Sequence, residues 1–314
     1  MALHDSTVHP ELRHKLPQFS FNARNLWWLR KLVTLQRPAQ MPSDVGIENI
    51  FIPSLDQPTQ IRVRVYRPRS LSAPAPILLW LHGGGFVIGK PEMDEATCSE
   101  YARTLGLVVV SVDYRYAPEH PFPTALNDGY AALTWVADHA APLGVDVRRL
   151  AIGGQSAGGG LAAALVQFAH DRAEIKPVFQ LLIYPMLDDR TVVRTDIVNR
   201  GNLMWNQASN RFGWESYLQQ PCGLDEVPDY AVPSRRADLA GLPPAWLGVG
   251  TLDLFYDEDV AYARRLNESG AACELVVVPG AYHGFDVVTP RATVVRDFRH
   301  SQLAALRKHL LLGS

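Results

Sequence analysis

The sequence predicts an α/β protein built on a mostly parallel sheet with helices on both faces. Short, continuous apolar segments recur at residues 77–81, 107–112, 150–153, 178–184, 245–250 and 274–278, with helical stretches between them. Strands that are apolar on both faces belong to buried, mostly parallel sheets. Residues 60–66 behave differently: Ile61, Val63 and Val65 alternate with Arg62 and Arg64, as in a half-buried antiparallel strand. The chain has 314 residues, 47% of them hydrophobic, enough to bury one large core.

Taken in order, the first 45 or so residues stand apart. Residues 21–35 set Leu26, Leu29, Leu32, Val33, Trp27 and Trp28 on one broad helical face, and Pro38 and Pro42 end the helix. Aromatic residues at this spacing usually pack on a body, so a docked helix is preferred to one that covers a pocket. Residues 47–52 and 60–66 form two strands at the antiparallel edge. Strand and helix then alternate: strand 77–81, helix 96–105, strand 107–112, helix 125–139, strand 150–153, a helix, and strand 178–184. Residues 187–228 interrupt this pattern with no clear strand and with Trp205, Phe212, Trp214 and Tyr217. So long a loop is rare inside a compact domain. A helical insertion with one helix at 207–218, paired with the N-terminal helix as a lid, is expected instead. Strand 245–250, helix 257–268, strand 274–278 and helix 293–311 complete the chain. The division is therefore a cap at 1–45 and 187–228 and a core at 46–186 and 229–314.

Chemistry concentrates at Gly154-Gln155-Ser156-Ala157-Gly158, a G-x-S-x-G pentapeptide between an apolar strand and an Ala-rich helix. To expose the Ser156 hydroxyl and enter a helix at once, the chain must turn sharply, which explains the flanking glycines. The Ala157 amide, at the helix start, is free to face a developing oxyanion. Ser156 needs a base and an orienter, which in α/β-hydrolases follow in the order acid, histidine. Asp253 follows strand 245–250, and His283 follows strand 274–278 in the run PGAYHGF. Both fall at C-terminal strand ends, where open α/β sheets carry their sites. Asp257, a candidate helix cap like Asp259, competes with Asp253 for the acid, as do Asp286 and Asp188.

Directly after strand 77–81 comes His82-Gly83-Gly84-Gly85-Phe86. Three consecutive glycines make sense where backbone must approach a ligand. The Gly83 and Gly84 amides would join that of Ala157 in an oxyanion hole. His82 reads as a structural residue pinning the loop, since a triad needs one base. The loop lacks the lysine and hydroxyl of a phosphate loop, and no cofactor or metal site is legible.

The net charge of -2 offers no footprint for nucleic acid or an anionic membrane. Three cysteines, Cys98, Cys222 and Cys273, lack metal or redox spacing and read as free thiols, Cys273 in the core. Neither an N-terminal signal stretch nor a membrane-length apolar run is legible, so a soluble cytoplasmic protein is expected.

These motifs resemble the bacterial hormone-sensitive-lipase-like esterases. They comprise HGGGF (82–86), VDYRYAPEHPFP (112–123), GGQSAGG (153–159), Asp253-Leu254 and HGF (283–285), and the likeness spans about residues 45–310. It implies an α/β-hydrolase fold with an eight-stranded sheet and a helical cap. It also implies cofactor-free hydrolysis of short- to medium-chain carboxylic esters. The nucleophile, acid and base fall on Ser156, Asp253 and His283, the oxyanion donors on Gly83, Gly84 and Ala157. Glu119 is expected to be a buried carboxylate steadying the site loops, and a homodimer through an edge strand or the last helix is compatible with the likeness. Gln155 departs from the family, which usually has aspartate or threonine there; the subgroup and pH profile turn on it. Three rivals remain: an amidase or aryl-formamide hydrolase, a true lipase, and a non-catalytic small-molecule binding protein on the same fold.

Overall fold

The computed structural model describes residues 7–14, 20–35, 43–56, 58–71, 74–197, 200–201 and 203–311. Pro38 and Pro42, expected to end the first helix, lie outside them. The first helix, α1 (Leu26–Leu35), begins later than expected. The Asn22 side chain accepts from the Arg24 amide and the Asn25 side chain from the Asn22 amide, closing a turn before it. Its buried face is also narrower than the sequence suggests. Leu26 is buried and Leu29 and Val33 pack on the core, whereas Trp27 is 58% and Leu35 76% exposed. Lys31 lies over the Trp27 ring, 4.3 Å from its centroid, which shelters part of that apolar surface.

Strands β1 (Val45–Pro53) and β2 (Gln60–Pro68) form the antiparallel edge, and β2 also pairs antiparallel with β4 (Val108–Asp113). Between them in sequence lie β3 (Ala75–Leu81) and α2 (Glu95–Leu105). After β4 come α3 (Thr124–Asp138), α4 (Ala140–Leu143), β5 (Val145–Gln155), α5 (Ala157–Arg172) and β6 (Phe179–Ile183). The expected insertion contains α6 (Gln207–Leu218), followed by β7 (Ala245–Gly250), α7 (Tyr256–Glu268), β8 (Cys273–Val278), a short α8 (Phe285–Val288) and α9 (Thr293–Leu310). One eight-stranded sheet results, ordered β1-β2-β4-β3-β5-β6-β7-β8 and parallel from β4 onward.

Burial explains the apolar runs. Every residue of β3, β6 and β7 is buried, because α2 and α9 pack together over the sheet and α3 and α5 form a second layer. The parallel strands all end toward the same rim, so the loops after β3, β5, β7 and β8 meet there. Among the described residues no helix is long and apolar enough to cross a membrane. Cys98 and Cys222 are buried and unpaired, while Cys273, expected in the core, is half-buried on the edge strand β8.

The arginine face of β2 is covered rather than open. Arg62 pairs with Asp113 at 2.9 Å and Glu92 at 2.5 Å, and Arg64 is buried against Glu95. Removing one member of a buried pair leaves the other charge without compensation. Glu95→Ala should therefore lower unfolding free energy by about 3–5 kcal/mol, whereas Arg64→Leu combined with Glu95→Leu should cost less; urea unfolding of the three proteins checks the order.

Candidate active site

At the end of β5 the backbone reverses into α5 through Ser156, whose φ is 56° and ψ -125°. A non-glycine residue tolerates such dihedrals only where its surroundings over-determine them. Here the Ser156 amide donates to the Ile183 carbonyl at 2.9 Å, and the Ser156 carbonyl accepts from the Met186 amide at 2.9 Å. Neighbouring backbone presses on both flanks. A Cβ on Gly158 would lie 2.1 Å from the Leu81 carbonyl oxygen, and one on Gly154 would lie 2.3 Å from that of Gly158. Only glycine fits either place.

His283, in the loop after β8, sets Nε2 2.8 Å from Ser156 Oγ. Its Nδ1 lies 2.8 Å from Asp253 Oδ2, in the loop after β7. The other Asp253 oxygen accepts from the Phe255 amide at 2.9 Å, so the carboxylate is held at both ends. The competing acids are engaged elsewhere. Asp257 pairs with Arg194 and Arg200, Asp188 with Arg190, and Asp286 accepts from the Tyr184 hydroxyl at 2.7 Å; Asp259 is fully buried, and neither of its oxygens has a hydrogen-bond partner among the described residues. Three aromatic rings surround the imidazole: Tyr184 and Phe255 edge-on at 4.8 and 5.1 Å between centroids, and Trp205 at 6.4 Å. Phe21 packs on Trp205 in turn, which ties both the N-terminal segment and the insertion to the site.

The glycine loop lies beside the serine. A Cβ on Gly83 would come within 3.4 Å of Ser156 Cβ, and Gly84 has φ +131°. The Gly83, Gly84 and Ala157 amides donate to no acceptor among the described residues, leaving three N–H groups available at one place. His82 is fully buried, its Nδ1 2.8 Å from the Gly83 carbonyl and its ring stacked on Tyr114 at 4.3 Å. Burial holds its pKa down and the ring neutral.

Gln155 is buried beneath Ser156 and donates through Nε2 to Asp94. Glu119 departs from expectation: it is not buried, and its side chain is 55% exposed. The reason is Arg30 of α1, which reaches over to it with bonds of 2.7 and 3.0 Å. The same guanidinium donates to the Val87 and Ala117 carbonyls at 2.8 Å and lies over Tyr116. It therefore staples α1 to the back of the glycine loop. Arg30, Tyr184, Phe255 and Asp94 were not read from the sequence as site residues. The lone arginine inside an apolar helix was a usable signal for the first; nothing local marks the others.

A family described by the alpha/beta hydrolase fold matches residues 78–287. The chain belongs to this family. Within it, the chain falls among the hormone-sensitive-lipase-like esterases. It is 35% identical over 289 residues to carboxylesterase NlhH of Mycobacterium tuberculosis, covering 89% of this chain and 88% of the relative. It is 36% identical over 231 residues to an ethyl acetate hydrolase of Pseudomonas putida, covering 71% and 70%. Among solved structures, a bacterial heroin esterase superposes with a TM-score of 0.90 at 38% identity, covering 97% of this chain and 98% of that one. Esterase LipW of Mycobacterium marinum gives 0.87 at 34% identity, covering 98% and 97%.

The staple gives this hydrolase a separable mechanical test. Arg30→Ala loses the contacts to the glycine-loop side as well as the ion pair, so α1 should open more often and chymotrypsin should cut at Trp27 or Trp28 faster than in wild type. Glu119→Gln keeps the two carbonyl contacts and should stay close to wild type in the same digestion.

Proposed function

We propose that this carboxylesterase acts through a covalent acyl-enzyme on Ser156, with His283 as general base and acid and Asp253 as its orienter. The carrying observation is the unbroken relay, Ser156 Oγ to His283 Nε2 and His283 Nδ1 to Asp253, each at 2.8 Å. A serine hydroxyl is a weak nucleophile at neutral pH and needs its proton removed as it attacks. His283 Nε2 takes that proton while Oγ bonds to the ester carbonyl carbon. Asp253 fixes the tautomer that makes Nε2 the acceptor and stabilises the imidazolium that forms. The carbonyl oxygen becomes an oxyanion that exists only in the tetrahedral state. The Gly83, Gly84 and Ala157 amides are assigned to it, because they lie beside Ser156 with no other acceptor among the described residues. The intermediate collapses, His283 returns the proton to the departing alkoxide, and the alcohol leaves. Water then attacks the acyl-serine with His283 again as base. Collapse of the second intermediate releases the acid and restores Ser156.

Short- to medium-chain acyl esters are the proposed substrates. The aromatic wall of Trp205 and Phe21 beside His283 supports an apolar pocket of limited depth, as does the relative named for ethyl acetate. We read α1 and α6 as the cap over that pocket. His82 is assigned a structural role behind the oxyanion loop. Three unpaired cysteines support a reducing, cytoplasmic setting, and the net charge of -2 argues against nucleic acid as a partner. A homodimer through the outer edge of β8 is supported by its place at the sheet edge and its half-buried Leu275 and Val276.

Ser156→Ala should lower turnover of a soluble p-nitrophenyl ester by at least about 10⁴-fold with the melting temperature nearly unchanged; Asp253→Asn should cost about 10³–10⁴-fold. Retained turnover in the serine variant would falsify the assignment. An acyl-length series on wild type should peak at short or medium chains, whereas faster cleavage of emulsified long-chain glycerides or of matched anilides would move the protein to a lipase or an amidase.

A further inference from the structure

Beneath the nucleophile lies a buried polar group that the relay does not use. Asp94 ends the short helical turn Pro91–Asp94 before α2 and is only 3% exposed. Its Oδ2 accepts from Trp80 Nε1 of β3 at 2.7 Å, and its Oδ1 from Gln155 Nε2 at the end of β5 at 2.5 Å. On the other side of Gln155, its Oε1 lies 3.4 Å from the Tyr184 hydroxyl, which donates to Asp286 at 2.7 Å. The Tyr184 ring stands edge-on to His283. The Gln155 side chain also lies beside the glycine loop, its Cγ 3.4 Å from where a Cβ of Gly83 would stand. One amide thus joins Asp94, the serine's own strand end, the Gly83 backbone and the Tyr184–Asp286 pair beside the base.

We propose that Asp94 is a positioning residue for ester hydrolysis: through Gln155 it fixes the Ser156 turn against the oxyanion loop, and its proton decides which way the Gln155 amide points. The chemistry allows two complete arrangements. Ionised, Asp94 accepts from both Trp80 and Gln155, and Gln155 turns Oε1 toward Tyr184. Protonated, it must donate one bond; Trp80 can only donate, so the acid proton goes to Gln155, whose amide turns over to present Oε1 to Asp94 and Nε2 to the Tyr184 oxygen. Tyr184 still donates to Asp286 in that second state. An aspartate at 155, usual among the hormone-sensitive-lipase-like esterases, would instead put a third carboxyl between Asp94 and Asp286. Glutamine permits the switch because it both donates and accepts.

The surroundings place this switch in the working range. Burial, with a smaller contribution from the like-charged Asp286, opposes the Trp80 bond and raises Asp94 to about 7. The other titratable groups facing it are Cys98 of α2, Tyr114 after β4 and Tyr184 after β6, each raised well above its ordinary value by burial and so neutral. The neighbouring Glu95 is paired with Arg64, and Arg299 of α9 lies by Glu100 and the Asp286 carbonyl. No cation pairs with Asp94 among the described residues.

The test compares wild type with Asp94→Asn, which mimics the protonated acid in donating to Gln155 and accepting from Trp80. This inference rests on the esterase reading only for its kinetic arm. In wild type, the acid limb of log kcat/KM against pH should be steeper than one proton requires, because Asp94 and the base both deprotonate. In Asp94→Asn it should have a slope of one, with kcat/KM about fivefold lower at pH 8, the effect of roughly one hydrogen bond, and converging with wild type below pH 6. A second arm needs no turnover. The Trp80 indole N–H resonance, identified by its loss in Trp80→Phe, should titrate near pH 7 in wild type and stay fixed in Asp94→Asn. Stability gives the same sign. A carboxyl raised in the folded state adds stability at low pH that is lost as pH rises through about 7. The melting temperature of wild type should therefore fall relative to Asp94→Asn between pH 5 and 8. An indole resonance that does not move between pH 5 and 9, or identical acid limbs in the two proteins, overturns the proposal. Loss of turnover in Ser156→Ala bears on the esterase reading alone.

Discussion

The structure depends on one close approach. The turn from β5 into α5 lies against the carbonyls at the end of β3, so near that a methyl group on Gly158 would sit 2.1 Å from the Leu81 oxygen. That contact sets the serine turn and the glycine loop side by side, because the loop begins at the very next residue, His82. Ser156 accepts its unfavourable φ of 56° because two backbone hydrogen bonds, to Ile183 and from Met186, hold it from the β6 side. Strain at one residue is thus offset by ordinary sheet and turn bonds around it, and the hydroxyl is presented without conformational search.

From this junction the rest of the site follows outward in layers. His283 and Asp253 come from the ends of β8 and β7, two strands that pair in register to Gly250 and Val278. Aromatic rings close round the imidazole, reducing water where charge must develop. Beyond them, the segments leading into α1 and α6 contribute Phe21 and Trp205, while Arg30 anchors α1 to the Val87 and Ala117 carbonyls near the glycine loop. The pieces that touch substrate in the proposed mechanism therefore rest on the sheet, and the pieces that shape the pocket rest on segments tied down by a few polar contacts. Mobility should follow that division, since bonds to exposed side chains open more readily than a buried sheet.

Legibility in the sequence tracks the same layering. Ser156, His283, Asp253 and the glycine loop were legible because each follows an apolar strand and each demands a particular residue type locally. Asp253 was separable from Asp257, Asp286 and Asp188 only in three dimensions, where Arg194 and Arg200, Tyr184 and Arg190 engage the competitors. Helix α1 was legible as a helix, but its buried face was overestimated, because hydrophobic spacing does not reveal how much body lies beneath a peripheral helix. Glu119 was expected to be buried, and it is exposed because Arg30, 89 residues away in the chain, meets it at the surface. Asp94 carried no local signal at all: its meaning comes from Trp80 and Gln155, on two strands that converge on it.

The mechanism stands or falls on a bond to one atom. The most direct measurement is acid quenching of the enzyme during turnover of a p-nitrophenyl ester, followed by peptide mass spectrometry. An acyl group should be found on the peptide containing Ser156, localised to that serine by fragmentation, and should disappear as substrate is exhausted. An acyl group on another residue, or steady turnover with Ser156 never modified under conditions where deacylation is slow, would contradict the covalent mechanism.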